Sequence, residues 1–192
     1  MSAVAAIEIA LDLETLHASD LSRAAFSGAH EPRICLVAAF ALTPHLKRIV
    51  AAINRVIPAR APQGLRMARP PTRLPGISTQ LSLEPMLVLL RLQSKLIRAI
   101  EPGLMHDQDL LPYGSVQGLG EAAERYIRDF IPCGRLPTFE PQTAGIGTEV
   151  VELRAIGMTM YRLGDRGAPE SMLAHWSYDL DSRGSLHLES GP

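Results

Sequence analysis

Apolar and polar positions alternate near the start of the chain. Ile7, Ile9, Leu11 and Leu13 are separated by Glu8, Ala10 and Asp12, the period-2 pattern of a strand with one face in a core. Arg33–Phe40 follows Pro32 and is apolar from Ile34 onward. Such a run predicts a strand in the middle of a sheet. Thr43 is an N-cap residue with Pro44 at the first helical position. Leu46, Ile49, Val50, Ile53 and Ile57 then mark one helical face, and Pro58 ends the helix. Ile77–Leu83 alternates again. Ser82 and Pro85 open a helix through Ile100, with Leu89, Leu92, Leu96 and Ile100 inward, and Pro102–Gly103 stops it.

In the second half, Ala123, Tyr126, Ile127 and Phe130 are spaced i, i+3, i+4, i+7 and predict a short amphipathic helix over Glu121–Ile131. Thr138–Gly147 reads as a strand and Glu149–Ala155 as one short helix. Ile156–Leu163 reads as a strand with Ile156, Met158 and Met160 on one face. Gly164–Gly167 is a turn, and Ser171–Leu180 is a last strand or a helical turn leading into one. Thr15–Phe26 is a weak helix or loop, and Gly103–Gly120 is a loop rich in turn residues. Pro58–Pro75 holds five prolines and four arginines, the composition of an extended loop with an edge strand inside it. Interleaved helices and strands with hairpin-like returns indicate an α+β domain. Two β-α-β-like halves, head to tail, would form a pseudo-symmetric, mostly antiparallel sheet with a central cleft and helices outside. That single domain is expected over residues 1–180, with Asp181–Pro192 as a flexible hydrophilic tail.

Composition narrows the class. The 192 residues are 46% hydrophobic and 20% charged, ordinary for one folded domain. The longest apolar run, Ile34–Leu42, is too short to span a bilayer. The first residues lack a basic segment, and Glu8 and Asp12 interrupt their apolar positions, unlike a signal peptide. A cytoplasmic protein without membrane contact is expected. Cys35 and Cys133 show no CxxC or metal spacing and are expected to be reduced thiols. No metal or cofactor is expected. Net charge is −1, yet no acid lies between Glu31 and Glu84, an interval with eight bases. A one-signed segment can focus an anionic ligand, although a solvated helix face followed by a basic loop is the plainer reading. Aromatic residues are absent between Phe40 and Tyr113, so stacking on single-stranded RNA is weakly supported.

The stretch Phe139–Gly147, FEPQTAGIG, resembles the FxPHxTxG segment of the two-histidine (2H) phosphoesterases. The closing segment Gly157–Leu180 is similar to that of their bacterial 2′-5′ RNA ligase-like subfamily, through Tyr161, Leu163, Gly164, Gly167, Leu173 and Trp176. Pro32–Phe40 with the Pro44–Val56 helix is similar to the first motif and its helix, and Leu87–Glu101 fits the helix closing the first half. The likeness runs roughly from Ile7 to Leu180. It implies two H-x-T/S motifs, each aiming a histidine and a hydroxyl from positions i and i+2 of a strand into one cleft. One histidine then acts as base and the other as acid.

Both motifs depart from that pattern. Pro32 is kept, but Arg33-Ile34-Cys35 replaces H-x-T. Pro141 is kept, but Gln142-Thr143-Ala144 replaces the second motif, with Thr143 able to take the hydroxyl position. Glutamine cannot shuttle protons, and arginine stays protonated. The resemblance therefore implies loss of cyclic phosphodiesterase activity and a diverged role: binding an anionic small molecule, nucleotide or RNA end through Arg33, Cys35, Gln142 and Thr143. The competing expectation is a repurposed enzyme, a hydrolase, transferase or isomerase, that recruits Cys35, His106 or Tyr113. Cys35 beside Arg33 has the setting of an activated thiolate, but also that of a small core residue. Arg33, placed where the family faces a phosphate, requires a counter-ion: a bound anion, Glu31 or another acid.

Overall fold

The computed structural model describes residues 3–15, 33–68, 82–110, 119–139, 151–164, 167–178 and 186–189. Their elements in chain order are β1 (Val4–Thr15), β2 (Arg33–Leu42), α1 (Leu46–Val56), β3 (Leu65–Ala68), β4 (Ser82–Glu84), α2 (Met86–Ile100), β5 (Leu104–Met105), α3 (Asp107–Leu110), α4 (Glu121–Phe130), β6 (Thr138–Phe139), β7 (Val151–Leu163), β8 (Pro169–Tyr178) and β9 (Leu186–Glu189). Short 3₁₀ turns at Thr43–His45 and Glu101–Gly103 precede α1 and follow α2.

The strands form one sheet whose main path runs β4-β3-β7-β1-β2-β5, and its pairs are antiparallel. The alternating strand β1 is its centre, held by β2 on one edge and β7 on the other. The second edge of β7 is shared by β3 near Val151–Leu153 and by β8 over Gly157–Leu163. The fold is therefore α+β, as the patterning indicates.

The apolar positions of β1 face α1 and α2. Ile7, Ile9, Leu11 and Leu13 pack there with Ile34, Leu36, Met158, Met160 and Trp176, against Ile49 and Ile53 of α1 and Leu89, Leu92, Leu96 and Ile100 of α2. The opposite face splits in two. At one end Ala6, Cys35, Ala38, Phe40 and Leu163 are covered by Ile127 and Phe130 of α4 and Leu110 of α3. The other end is polar and carries Asp12, Arg33 and Thr159.

Two bulges bracket β1. Ile9 pairs with Val37 and Ala10 with Cys35, which leaves Leu36 as an extra residue in β2. Asp12 pairs with Gly157 and Leu13 with Ala155, which leaves Ile156 extra in β7. Bulges bend a strand and re-aim its side chains, and they concentrate near functional sites. The carbonyl of Leu36 is taken up by buried Gln93, whose Nε2 donates to it at 2.9 Å and to the Arg135 carbonyl at 2.9 Å. Gln93→Leu leaves both carbonyls without this donor. It should cost about 1–3 kcal/mol, read as a lower midpoint in urea at unchanged slope; an unchanged midpoint would show that the amide contributes nothing there.

Several expectations are corrected. Val151–Ala155 is not a helix but the first part of β7. Glu152, Leu153, Arg154 and Ala155 include good helix formers, but Leu153 and Ala155 point into the core and their backbone is paired to β1. Pairing between distant strands outweighs local propensity here. Ser82–Glu84 is a short strand against β3, and the helix starts at Met86. Leu65–Ala68 is the strand inside the Pro58–Pro75 stretch, although it lies between β4 and β7 and not at an edge. Leu104–Met105 and Asp107–Leu110 are ordered elements within the Gly103–Gly120 loop. Leu186–Glu189, within the expected tail, forms β9 on β8. Of Thr138–Gly147, only Thr138 and Phe139 are described; they pair with Cys35 and Ile34. Among the described residues, no helix is long and apolar enough to cross a membrane.

Candidate functional site

On the face turned away from α1 and α2, β1 presents Glu8, Asp12 and Glu14. Cross-strand register fixes their neighbours: Glu8 lies opposite Tyr161, Asp12 opposite Arg33 and Gly157, and Glu14 opposite Arg154. On the next pair of strands Thr159 lies opposite His175. Four strands, β1, β2, β7 and β8, are thus brought together by one sheet.

Glu8 and Asp12 are only 5% and 6% exposed. Burying an ionised carboxylate is costly unless it is paired and hydrogen-bonded, and both have such contacts. Arg33 Nε donates to Glu8 Oε1 at 3.2 Å, with both side chains largely buried. The same guanidinium carbon lies 5.7 Å from the centre of the Tyr161 ring, a cation–π contact. Thr159 Oγ1 donates to Asp12 Oδ2 at 2.6 Å and lies 2.8 Å from His175 Nδ1. His175 Nδ1 is itself 3.7 Å from Asp12 Oδ2, and its side chain keeps 28% of its surface open. Further out, Arg154 makes an exposed ion pair with Glu14.

Burial raises the Tyr161 pKa, and the negative charge of Asp12 raises it further, while Thr159 and the Arg33 charge act in the opposite direction. Tyr161 is therefore a neutral phenol at physiological pH. Tyr178 is also pushed upward, by burial and then by Asp12. The charges of this patch nearly balance: three carboxylates face two guanidiniums and one histidine. Chemically it offers a base with an acid behind it, a hydroxyl between them, a neutral phenol and a buried ion pair. Active sites gather such groups, and so do structural ion-pair networks.

The residues singled out in the sequence fall in different places. Arg33 belongs to the patch. It does not depend on an external anion, because Glu8, an acid outside the basic interval, lies against it. Cys35 is on the same face but 2% exposed, packed in the apolar cluster under α4, a core position closed to substrate. His106 is at the far end. It lines a pocket of about 580 Å³ with Phe40, Leu110, Ile127 and Arg128, and its backbone N–H donates to Asp109 Oδ2 at 3.1 Å. Tyr113, Gln142 and Thr143 lie outside the described residues. Cys133 is an exposed free thiol. Among the described residues no group of three histidines, cysteines or acids has the arrangement of a metal site.

Sequence reasoning passed over Asp12, Thr159 and His175. Asp12 reads as the solvated side of an amphipathic strand, and His175 as one of six scattered histidines. The available signal was the alternation Ala174, Trp176, Tyr178 in β8, which sends His175 to the face opposite the core.

Comparison with protein-family models, with curated proteins and with solved structures finds no match for this chain.

Proposed function

We propose that the chain is a diverged 2H phosphoesterase-like protein in which the polar patch of Glu8, Asp12, Arg33, Thr159, Tyr161 and His175 binds a small polar ligand. The observation that carries this reading is the burial of two carboxylates beside a guanidinium, a phenol and an imidazole on one sheet face. The bulges on both neighbours of β1 support it, since they re-aim side chains at the level of Ala10 and Asp12. The family resemblance gives the proposal its ancestry: β2, the strand that would have held the first histidine, carries Arg33 at that position, and the sheet's two halves would flank a shared cleft.

The charge of the patch refines the ligand class. An anionic small molecule, nucleotide or RNA end would compete with Glu8 for Arg33. A hydroxyl-bearing neutral or zwitterionic molecule meets near-balanced charge and many hydrogen-bonding partners, and it fits better. With Arg33 in place of the first family histidine and Gln142 in place of the second, 2′,3′-cyclic phosphodiesterase turnover on mononucleotides should be undetectable, because each lost acid–base group removes about 10²–10⁴-fold.

The test is a thermal-shift panel of nucleotides, cyclic phosphates, phosphorylated metabolites, polyols and zwitterionic hydroxy compounds. A binder at about 100 times its Kd should stabilise the protein by about 2.7 kcal/mol. That shift should vanish in Asp12→Asn and Arg33→Met. A shift that survives both substitutions would place the ligand elsewhere, and robust cyclic phosphodiesterase turnover would contradict the proposal.

A further inference from the structure

Thr159 stands between an acid and a base, with the Tyr161 phenol as a further hydrogen-bond partner, and the buried carboxylate decides where its hydroxyl proton goes. Ionised Asp12 can only accept a hydrogen bond, so the single hydroxyl proton of Thr159 points to Asp12 Oδ2, 2.6 Å away. The Thr159 oxygen can then only accept from His175 Nδ1 at 2.8 Å. That bond requires the imidazole proton on Nδ1 and leaves the lone pair on Nε2. Asp12 Oδ2 lies 3.7 Å from Nδ1, close enough to stabilise an imidazolium once Nε2 has taken a proton.

The ring position is also built into the sheet. Gly157 lies beside His175, and a Cβ added at Gly157 would fall 2.8 Å from the Trp176 carbonyl oxygen, 2.9 Å from His175 Cε1 and 3.4 Å from Nε2. The imidazole and the backbone of β8 together occupy the space that a side chain at position 157 would fill. Asp12 and Thr159 are buried while His175 remains open to the outside, the order of exposure that a base with a supporting acid needs.

We infer that Asp12, Thr159 and His175 form a general-base unit in which His175 Nε2 accepts the proton of a hydroxyl or water oxygen bound at the patch. This rests on the ligand-site reading above and names the chemistry of that site. The O–H bond breaks, its electron pair stays on oxygen as the nucleophile, and a new N–H bond forms at Nε2. The proton on Nδ1 remains directed at Thr159, and Asp12 stays ionised. Thr159 and Asp12 are positioning residues, and His175 is the group that meets the substrate. The substrate class is a molecule with a hydroxyl to activate, or with a centre that water attacks.

The inference is tested without any ligand. Long-range ¹H–¹⁵N NMR on the labelled protein reads the His175 tautomer directly. The expected result is a neutral ring protonated at Nδ1. Thr159→Val should shift it toward the Nε2-protonated form, and Thr159→Ser, which keeps the hydroxyl, should restore Nδ1 protonation. Carbethoxylation of His175 by diethyl pyrocarbonate, followed by peptide mass spectrometry, should slow about tenfold in Thr159→Val and Asp12→Asn, as expected for loss of a hydrogen bond to a charged group. A wild-type ring protonated at Nε2, or acylation rates equal across these variants, would overturn the inference. Neither readout depends on the ligand panel, so a failure here is separable from a panel that yields no binder.

Discussion

Glu8→Ala should be among the most damaging single substitutions in this protein. The side chains of Glu8 and Arg33 are 6% and 11% exposed, and removing one member of a buried pair takes an ion-pair contact from the other charge where water does not replace it. Such losses cost about 3–5 kcal/mol, whereas replacing both partners by apolar groups of similar volume is often neutral. Glu8→Leu combined with Arg33→Met should therefore recover much of the stability lost in either single variant. The cycle can be followed by urea denaturation through the fluorescence of the chain's single tryptophan. A cost below about 1 kcal/mol for Glu8→Ala, the size of an ordinary exposed pair, would show that the pair is solvated and that Arg33 is open to an external anion after all.

Trp176→Ala should have an effect of similar size for a different reason. The side chain is 1% exposed in the main core, and its Nε1 donates to Asn54 Oδ1 of α1 at 2.6 Å. It thus ties β8 to the helical layer on one face while the neighbouring His175 faces the other. Truncation removes a large apolar contact and leaves a cavity, a loss of about 3–5 kcal/mol. Trp176→Phe keeps most of the volume and should cost markedly less. Circular dichroism during denaturation is the right probe, since the substitution deletes the fluorophore. Equal midpoints for Trp176→Ala and the wild type would contradict the core position assigned to β8.

The parts of the fold that were legible in the sequence are those where a local pattern and the tertiary environment agree. The alternation of Ile7–Leu13 made β1, the apolar run of Arg33–Phe40 made β2, and the helical spacing of Leu46 to Ile57 made α1. The helix expected at Glu149–Ala155 failed because partners in β1 and β3, more than eighty residues away in sequence, decide its conformation. The polar patch was largely illegible for the same physical reason. Glu8 and Asp12 occupy the positions a solvated strand face would give to acids. Long-range contacts, among them those with Arg33, 25 residues away, and with Thr159, 147 residues away, accompany their burial. Arg33 was legible as an unusual charge at the start of a core strand, but its counter-ion was not.

The polar patch, and not the pocket beside His106 or the basic Pro58–Pro75 stretch, is the proposed place where this protein meets its ligand. Chemical-shift mapping of the strongest binder from the thermal-shift panel tests it most directly. The largest perturbations should cluster at Asp12, Arg33, Thr159, Tyr161 and His175, with His106 and Arg128 unchanged. Perturbations centred on His106, Asp109 and Arg128, with the Asp12–Thr159–His175 signals unmoved, would contradict it.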